Sequence, residues 1–287
     1  MRPVRNARLR YAYPCMMRVV RVGVVIASTP FFAADARAVD PFEIQVYDGT
    51  ADAVGEAGLE LHLNEWATGH RDAVAPALPL HGQFHATLEP SFGVMPFWEL
   101  GAYLQTALRD DGSFDYAGAK LRSKFVTPPH WDAHWRLGLN LEISLLPQTY
   151  DHDRWGSEVR PIVAWASYDW LFVVNPIFDQ ALAGRDASAG PSFEPAAKVS
   201  RRWGPIAMGL EYYASFGPLS APLPWRSQEH YVYETVDLLS VDEFELNVGI
   251  GEGLTPASAG IVAKVIVGYA IETRPERAAS KVSKGMP

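Results

Sequence analysis

The stretch WRLGLNLEISL, residues 135 to 145, sets Trp135, Leu137, Leu139, Leu141, Ile143 and Leu145 against Arg136, Gly138, Asn140, Glu142 and Ser144. Successive side chains of a β-strand point to opposite faces, so alternation sustained over this length predicts a strand with one apolar and one polar face. The same texture recurs in LELHLN, FHATLEPSF, WELGAYLQTAL, FDYAGAKLRSKFV, EVRPIVAW, FEPAAKV, MGLEYYA and FELNVGIG. Twelve such segments can be drawn, at 57–67, 84–94, 97–108, 114–126, 134–146, 157–166, 170–181, 191–200, 205–216, 229–238, 243–252 and 259–271. Most reach ten residues or more, whereas soluble strands centre on about five or six and a tilted bilayer-crossing strand needs about 9 to 11.

Length and connections together separate the two media that such a strand can divide. On a soluble sheet the polar face is wet and the apolar face packs a core; in a membrane barrel the apolar face meets lipid and the polar face lines the interior. The odd-numbered connections, 68–83, 109–113, 147–156, 182–190, 217–228 and 253–258, are mostly longer than the even-numbered ones, 95–96, 127–133, 167–169, 201–204 and 239–242. Long loops on one side and short turns on the other describe an all-β fold, a transmembrane antiparallel β-barrel of about 12 strands. Trp66, Trp98, Trp131, Trp135, Trp155, Trp165, Trp170 and Trp203 fall near predicted strand ends, where interfacial girdles belong. A soluble sandwich is the competing architecture.

The first 38 residues have the layout of a secretory leader. Arg18 and Arg21 precede an apolar run from Val22 to Phe32, and Ala36-Arg37-Ala38 supplies a small-residue cleavage site. Met16 or Met17 is an alternative start to Met1. Removing the leader takes away seven arginines and one aspartate, which moves the formal net charge from −8 to −14. It also removes Cys15, the only cysteine, and with it any disulfide framework or thiol nucleophile. The expected organisation is a leader at 1–38, an N-terminal periplasmic or lumen-docked segment at 39–56, a barrel at 57–271 and a polar tail at 272–287. Residues 42–48, FEIQVYD, form a thirteenth alternating stretch within the second of these.

On the membrane reading, the predicted lumen lining comprises Glu99, Tyr103, Lys120, Arg122, Lys124, Arg136, Asn140, Glu142, Arg160, Glu211, Glu234, Glu245 and Glu252. Hairpin closure through residues 110–113 opposes Arg109 to Phe114, Glu99 to Lys124 and Tyr103 to Lys120, while opposing Leu146 to Gly156 sets Glu142 against Arg160. Lys120, Arg122, Lys124, Arg136 and Arg160 cluster on the fourth to sixth strands and Glu211, Glu234, Glu245 and Glu252 on the ninth to eleventh, which predicts a field across a narrow pore for small polar or zwitterionic solutes. The alternatives are a structural barrel plugged by ion pairs and an outer-membrane lipid-modifying hydrolase. No HExxH, Gly-x-Ser-x-Gly, CxxC or Gly-rich phosphate loop is present, so neither enzyme activity nor a cofactor or metal is expected. His62 on the first strand could approach Glu89 on the second. The net charge argues against nucleic acid as a partner.

The blocks FEIQVYDG, LELHLN, WELGAYLQTAL, KLRSKFV, EVRPIVAW, GLEYYASFGP and KVIVGYA resemble those of a largely uncharacterised family of proteobacterial outer-membrane barrel proteins, loosely grouped with transporters. The resemblance covers nearly all of residues 42–271. It implies a barrel in the Gram-negative outer membrane, with outer-membrane lipids, lipopolysaccharide, a small polar solute and the barrel-assembly machinery as partners, and no catalytic residues. Such barrels usually end on an aromatic residue, whereas here VIVGYAI is followed by a polar tail.

Overall fold

In the computed structural model, residues 40–72, 75–128, 130–239 and 244–272 of the 287-residue chain are described. The expected leader at 1–38 and the expected polar tail beyond Glu272 lie outside the described residues. The strands are β1 (Glu56–Glu65), β2 (Phe84–Met95), β3 (Trp98–Leu108), β4 (Phe114–Val126), β5 (Trp135–Leu145) and β6 (Trp155–Ala166). They continue with β7 (Trp170–Asn175 and Phe178–Ala183), β8 (Ser192–Phe193 and Ala196–Trp203), β9 (Ile206–Ser215), β10 (Glu229–Leu238), β11 (Phe244–Gly253) and β12 (Ile261–Glu272). β7 and β8 are each interrupted at a proline, Pro176 and Pro195, which has no backbone N–H to give to a ladder.

Every strand pairs antiparallel with its neighbours in sequence, and β12 pairs with β1 through Leu59↔Tyr269, Leu63↔Val265 and Glu65↔Ala263. The sheet therefore closes into a twelve-stranded barrel with no free edge. Connections 66–83, 109–113, 146–154, 184–191, 216–228 and 254–260 lie at one end, and 96–97, 127–134, 167–169, 204–205 and 239–243 at the other. The long-loop and short-turn asymmetry read from the sequence holds.

Burial is inverted relative to a water-soluble protein. Leu121, Ile143, Ile250, Leu104, Leu137, Phe172 and Met208 point outward and are exposed, while His62, Asn64, Thr87, Glu89, Glu99, Gln105, Arg122, Asn140 and Lys264 point inward and are buried. An apolar band outside and hydrogen-bonding side chains inside suit a hydrocarbon solvent, where the closed ladder also satisfies the backbone. Trp135, Trp155, Trp170 and Trp203 are exposed at strand ends, as a girdle requires. Trp66 is a correction: it is buried inside, edge-on to Tyr231 at 6.1 Å, in a cluster against which Leu80 also packs.

Two predicted registers are tested by the ladders. Glu99↔Lys124 and Tyr103↔Lys120 are paired as predicted, but the hairpin ends on Leu108↔Phe114 rather than on Arg109 opposite Phe114. A bulge between Gln105 and Thr106 in the pairing, where β4 carries an extra residue, absorbs the difference. The second register is wrong by two residues: Glu142 faces Glu158, and Arg160 faces Asn140. The β5–β6 hairpin closes through the Leu146 N–H donating to the Arg154 carbonyl, a tighter closure than alternation alone could reveal.

Candidate functional site: the occupied lumen

The N-terminal segment 40–55 runs along the inner wall from the long-loop end to the short-turn end. Its alternation explains its fit. Ile44 and Val46 pack with Val173, Ile177, Tyr213, Tyr231, Tyr233 and Val262 on one side of the lumen. Glu43 and Tyr47 face the charged wall built by β3 to β6. The segment thus turns its apolar face to the cluster around Tyr213, Tyr231 and Tyr233 and its polar face to the charged wall.

Hydrogen bonds fasten this strap along its length. The Pro41 carbonyl accepts from Asn64 Nδ2 at 3.1 Å and lies 2.9 Å from His85 Nδ1, while Phe42 stacks on His85 at 4.3 Å. Lys264 Nζ donates to the Ile44 carbonyl at 3.0 Å. Asn175 clamps the Tyr47 backbone from both sides, accepting from its N–H at 2.8 Å and donating to its carbonyl at 2.9 Å. The break at Pro176 leaves this asparagine at a strand end. The Tyr47 hydroxyl donates to Glu43 Oε1 at 2.7 Å and lies 2.5 Å from the Tyr103 hydroxyl. Arg160 stacks over the Tyr47 ring at 4.4 Å.

Ion pairs fill much of the remaining wall. Arg122 bridges Glu89 at 2.5 Å and Glu99 at 2.6 Å, and Lys124 adds a contact to Glu99 at 2.9 Å. Lys120 meets Asp40 and lies 3.2 Å from Glu142 and 3.7 Å from Glu43. Arg160 holds Glu158 at 2.6 Å and Arg136 holds Asp48 at 2.8 Å. Across the lumen, Lys264 and Lys198 hold Glu211 at 2.5 and 3.1 Å, and Lys198 also meets Asp237 at 2.9 Å.

Glu99, Tyr103, Lys120, Arg122, Asn140, Glu142, Arg160 and Glu211 are inward-facing and buried. Lys124, Arg136 and Glu245 line a cavity at the short-turn end. Glu234 and Glu252 require correction, because both point outward. Glu234 faces Leu210 and Ile250, and Glu252 faces Val232 and Ile261. On β10 the inward parity belongs to Tyr231, Tyr233, Thr235 and Asp237, so tyrosines take the positions that a charge-based assignment gave to glutamate. The predicted field across the lumen is also corrected: each inward cation meets acids on its own side, and Asp40, Glu43, Glu89 and Glu158 balance the basic ladder locally. The sequence reading missed Lys198, Asp237, Lys264 and Glu158 as lining residues. Their strand parity carried the signal, but hydrophobic neighbours in AAKVS and VAKVIV obscured it.

Among the described residues, one cavity lies toward each end of the barrel. The larger, of about 480 Å³, opens at the short-turn end and is lined by Gln45, Tyr47, Lys124, Arg136, Lys198 and Glu245 among others. The smaller, of about 160 Å³, lies under the long loops, between Asp40, Glu43, Lys120, Tyr150, Asp179 and Glu194. Burial and the Asp115 carboxylate, which accepts from the Tyr150 hydroxyl at 2.8 Å, push that loop phenol above its ordinary range. Gly93 lets the strap pass at the short-turn end, since a Cβ there would collide with the carbonyl oxygens of Ala53 and Asp52. Gly93→Val is expected to displace residues 50–55 without opening the barrel ladder. Limited proteolysis of the folded variant in detergent should cut this stretch, with the parent protein resistant under the same conditions.

No protein-family model matches the chain, and no curated protein is similar to it in sequence. Among solved structures, an outer-membrane channel from Pseudomonas putida F1 superposes with a TM-score of 0.55 at 11% identity, covering 80% of this chain and 100% of that one. The fold is that of an outer-membrane β-barrel. The KdgM and NanC porins each align over 74% of this chain and 98% of theirs, with a TM-score of 0.49 in both cases and identities of 9% and 8%.

Proposed function

We propose that the protein is a narrow outer-membrane channel for small polar or zwitterionic solutes, exported by its N-terminal leader and held closed by the strap at residues 40–55. The observation that carries this reading is the pair of polar cavities at opposite ends of one closed barrel, separated by the layer of Glu43, Tyr47 and Tyr103. A solute passing between the cavities would have to move this layer. The lining offers balanced charges at short range, which favours dipolar solutes over ions of one sign. A channel is also what the Pseudomonas putida F1 protein of like fold is called. On this reading outer-membrane lipids and lipopolysaccharide surround the apolar band, and the barrel-assembly machinery inserts it.

The density of lumen ion pairs favours one second reading, a structural barrel that never conducts. Planar-bilayer recording separates the two. The parent protein is expected to give brief, infrequent steps, and a variant lacking residues 40–52 to give long-lived ohmic openings of larger conductance. Asn175→Ala, which removes the clamp on Tyr47 and leaves the ladder intact, should raise the open fraction several-fold. Silence from all three proteins, each shown to be folded by heat-modifiable migration, would favour the structural barrel.

A further inference from the structure

Three lumen side chains converge in a way that neither conduction nor the strap requires. Glu60 and His62 lie two residues apart on β1 and share its inner face, and Glu89 on β2 is the direct cross-strand partner of Glu60. His62 Nε2 lies 3.0 Å from Glu89 Oε2 and 3.4 Å from Glu60 Oε2. The three donor atoms all lie within 4.8 Å of one another. Zinc–nitrogen and zinc–oxygen bonds of about 2.0 to 2.2 Å require donor atoms roughly 3 to 3.5 Å apart around a tetrahedral ion. Two of the three edges already have that length.

The charge balance also calls for a cation. Among the described residues, Glu60 contacts only neutral Gln45, through the amide at 3.2 Å, and His62, and no lysine or arginine is paired with it. Glu245 on β11 packs beside Glu60 across Gly268, where no side chain intervenes, and likewise has no paired lysine or arginine among the described residues. Arg122 occupies the other oxygen of Glu89, so Oε2 stays directed at His62. The imidazole is fully buried, and its Nδ1 makes no hydrogen bond. Only Nε2 is engaged, and it points into the carboxylates.

We infer that Glu60, His62 and Glu89 form a binding site for a single borderline divalent cation of the zinc class. Imidazole with two carboxylates suits zinc better than calcium or magnesium, which prefer all-oxygen shells. Glu60, Glu89 and Gln45 all border the larger cavity, which supplies an entry path from the short-turn end. The ion would tie β1 to β2 beside the strap. This inference stands apart from the channel reading, since binding is measured without a bilayer.

Zinc alone, titrated into the purified full-length barrel in detergent against a fluorescent chelator, is the test. One tight ion per chain is expected. His62→Gln keeps a hydrogen bond to Glu89 but supplies a poor zinc ligand, and should weaken that site by about 100-fold or more. Glu60→Gln preserves the His62–Glu89 pair and should weaken it by about 10- to 100-fold, the range that even supporting groups command. Zinc should also raise the temperature of heat modification for the parent protein and for neither variant. Equal zinc uptake by the parent protein and both variants would assign binding to the loop histidines His70, His81, His130, His134 and His152 and overturn the site. Absence of saturable uptake by the parent protein would do the same, leaving a buried histidine–carboxylate pair that holds a proton.

Discussion

Arg122→Met is expected to destabilise the folded barrel by about 3 to 5 kcal/mol, the range found when one partner of a buried pair is removed. Among the described residues, the guanidinium is the only cation in contact with both Glu89 and Glu99, and it is itself buried, so its loss leaves one carboxylate with His62 and the other with Lys124. Glu99 is further tied to the strap, accepting from the Asp52 N–H at 2.6 Å. Urea titration of heat-modifiable migration in detergent micelles measures the effect. Adding Glu89→Gln and Glu99→Gln to Arg122→Met should recover most of the loss, since a neutral interior of similar volume avoids the uncompensated charge. Failure of the triple variant to recover would show that the arginine acts through packing over the Tyr47 ring, 5.8 Å away, rather than through charge.

The second large effect is expected on the opposite face of the same strand. Leu121 neighbours Arg122 in sequence, yet it is 68% exposed on the outside of the barrel, flanked by Ala102 and Ile143. Leu121→Arg places a cation against hydrocarbon and should cost about 2 to 4 kcal/mol in lipid, falling toward zero near the interface. Leu219→Arg, at an exposed position in the β9–β10 loop, should be nearly neutral. Equal folding yields of these two variants into lipid vesicles would remove the assignment of the apolar face to lipid. The contrast between Leu121 and Arg122 tests sidedness at single-residue resolution, because period two sends adjacent side chains into different solvents.

Sequence and structure agree where a local rule dominates. The alternation in WRLGLNLEISL and KLRSKFV states which residues share a face, and burial follows that division with Asn140 and Arg122 inside and Leu141 and Leu121 outside. The approach of His62 to Glu89 was legible as well, because both sit on the polar face of one hairpin. Glu234 and Glu252 were misplaced because charge was taken as a sign of the inner face, whereas on β10 the tyrosines hold that parity. An amphipathic ring hides which solvent it meets.

Alternation, strand length and connection length in the sequence pointed to an antiparallel barrel of twelve strands with a long-loop and a short-turn end, against a soluble sandwich, and placed most of the residues they assigned to its inner wall. These depend on side-chain direction and strand length, which adjacent residues dictate. Only the tertiary structure decided which acid meets which base. A hairpin slip of two residues preserves every face while exchanging every partner, as Glu142 against Glu158 demonstrates. It also decided what occupies the lumen. The pairing of Tyr47 with Asn175 joins residues 128 positions apart, and the contact of Ile44 with Lys264 joins residues 220 apart. No periodic pattern encodes such distances, since they arise from closure of the ring and from the fit of an amphipathic strap to the walls it touches.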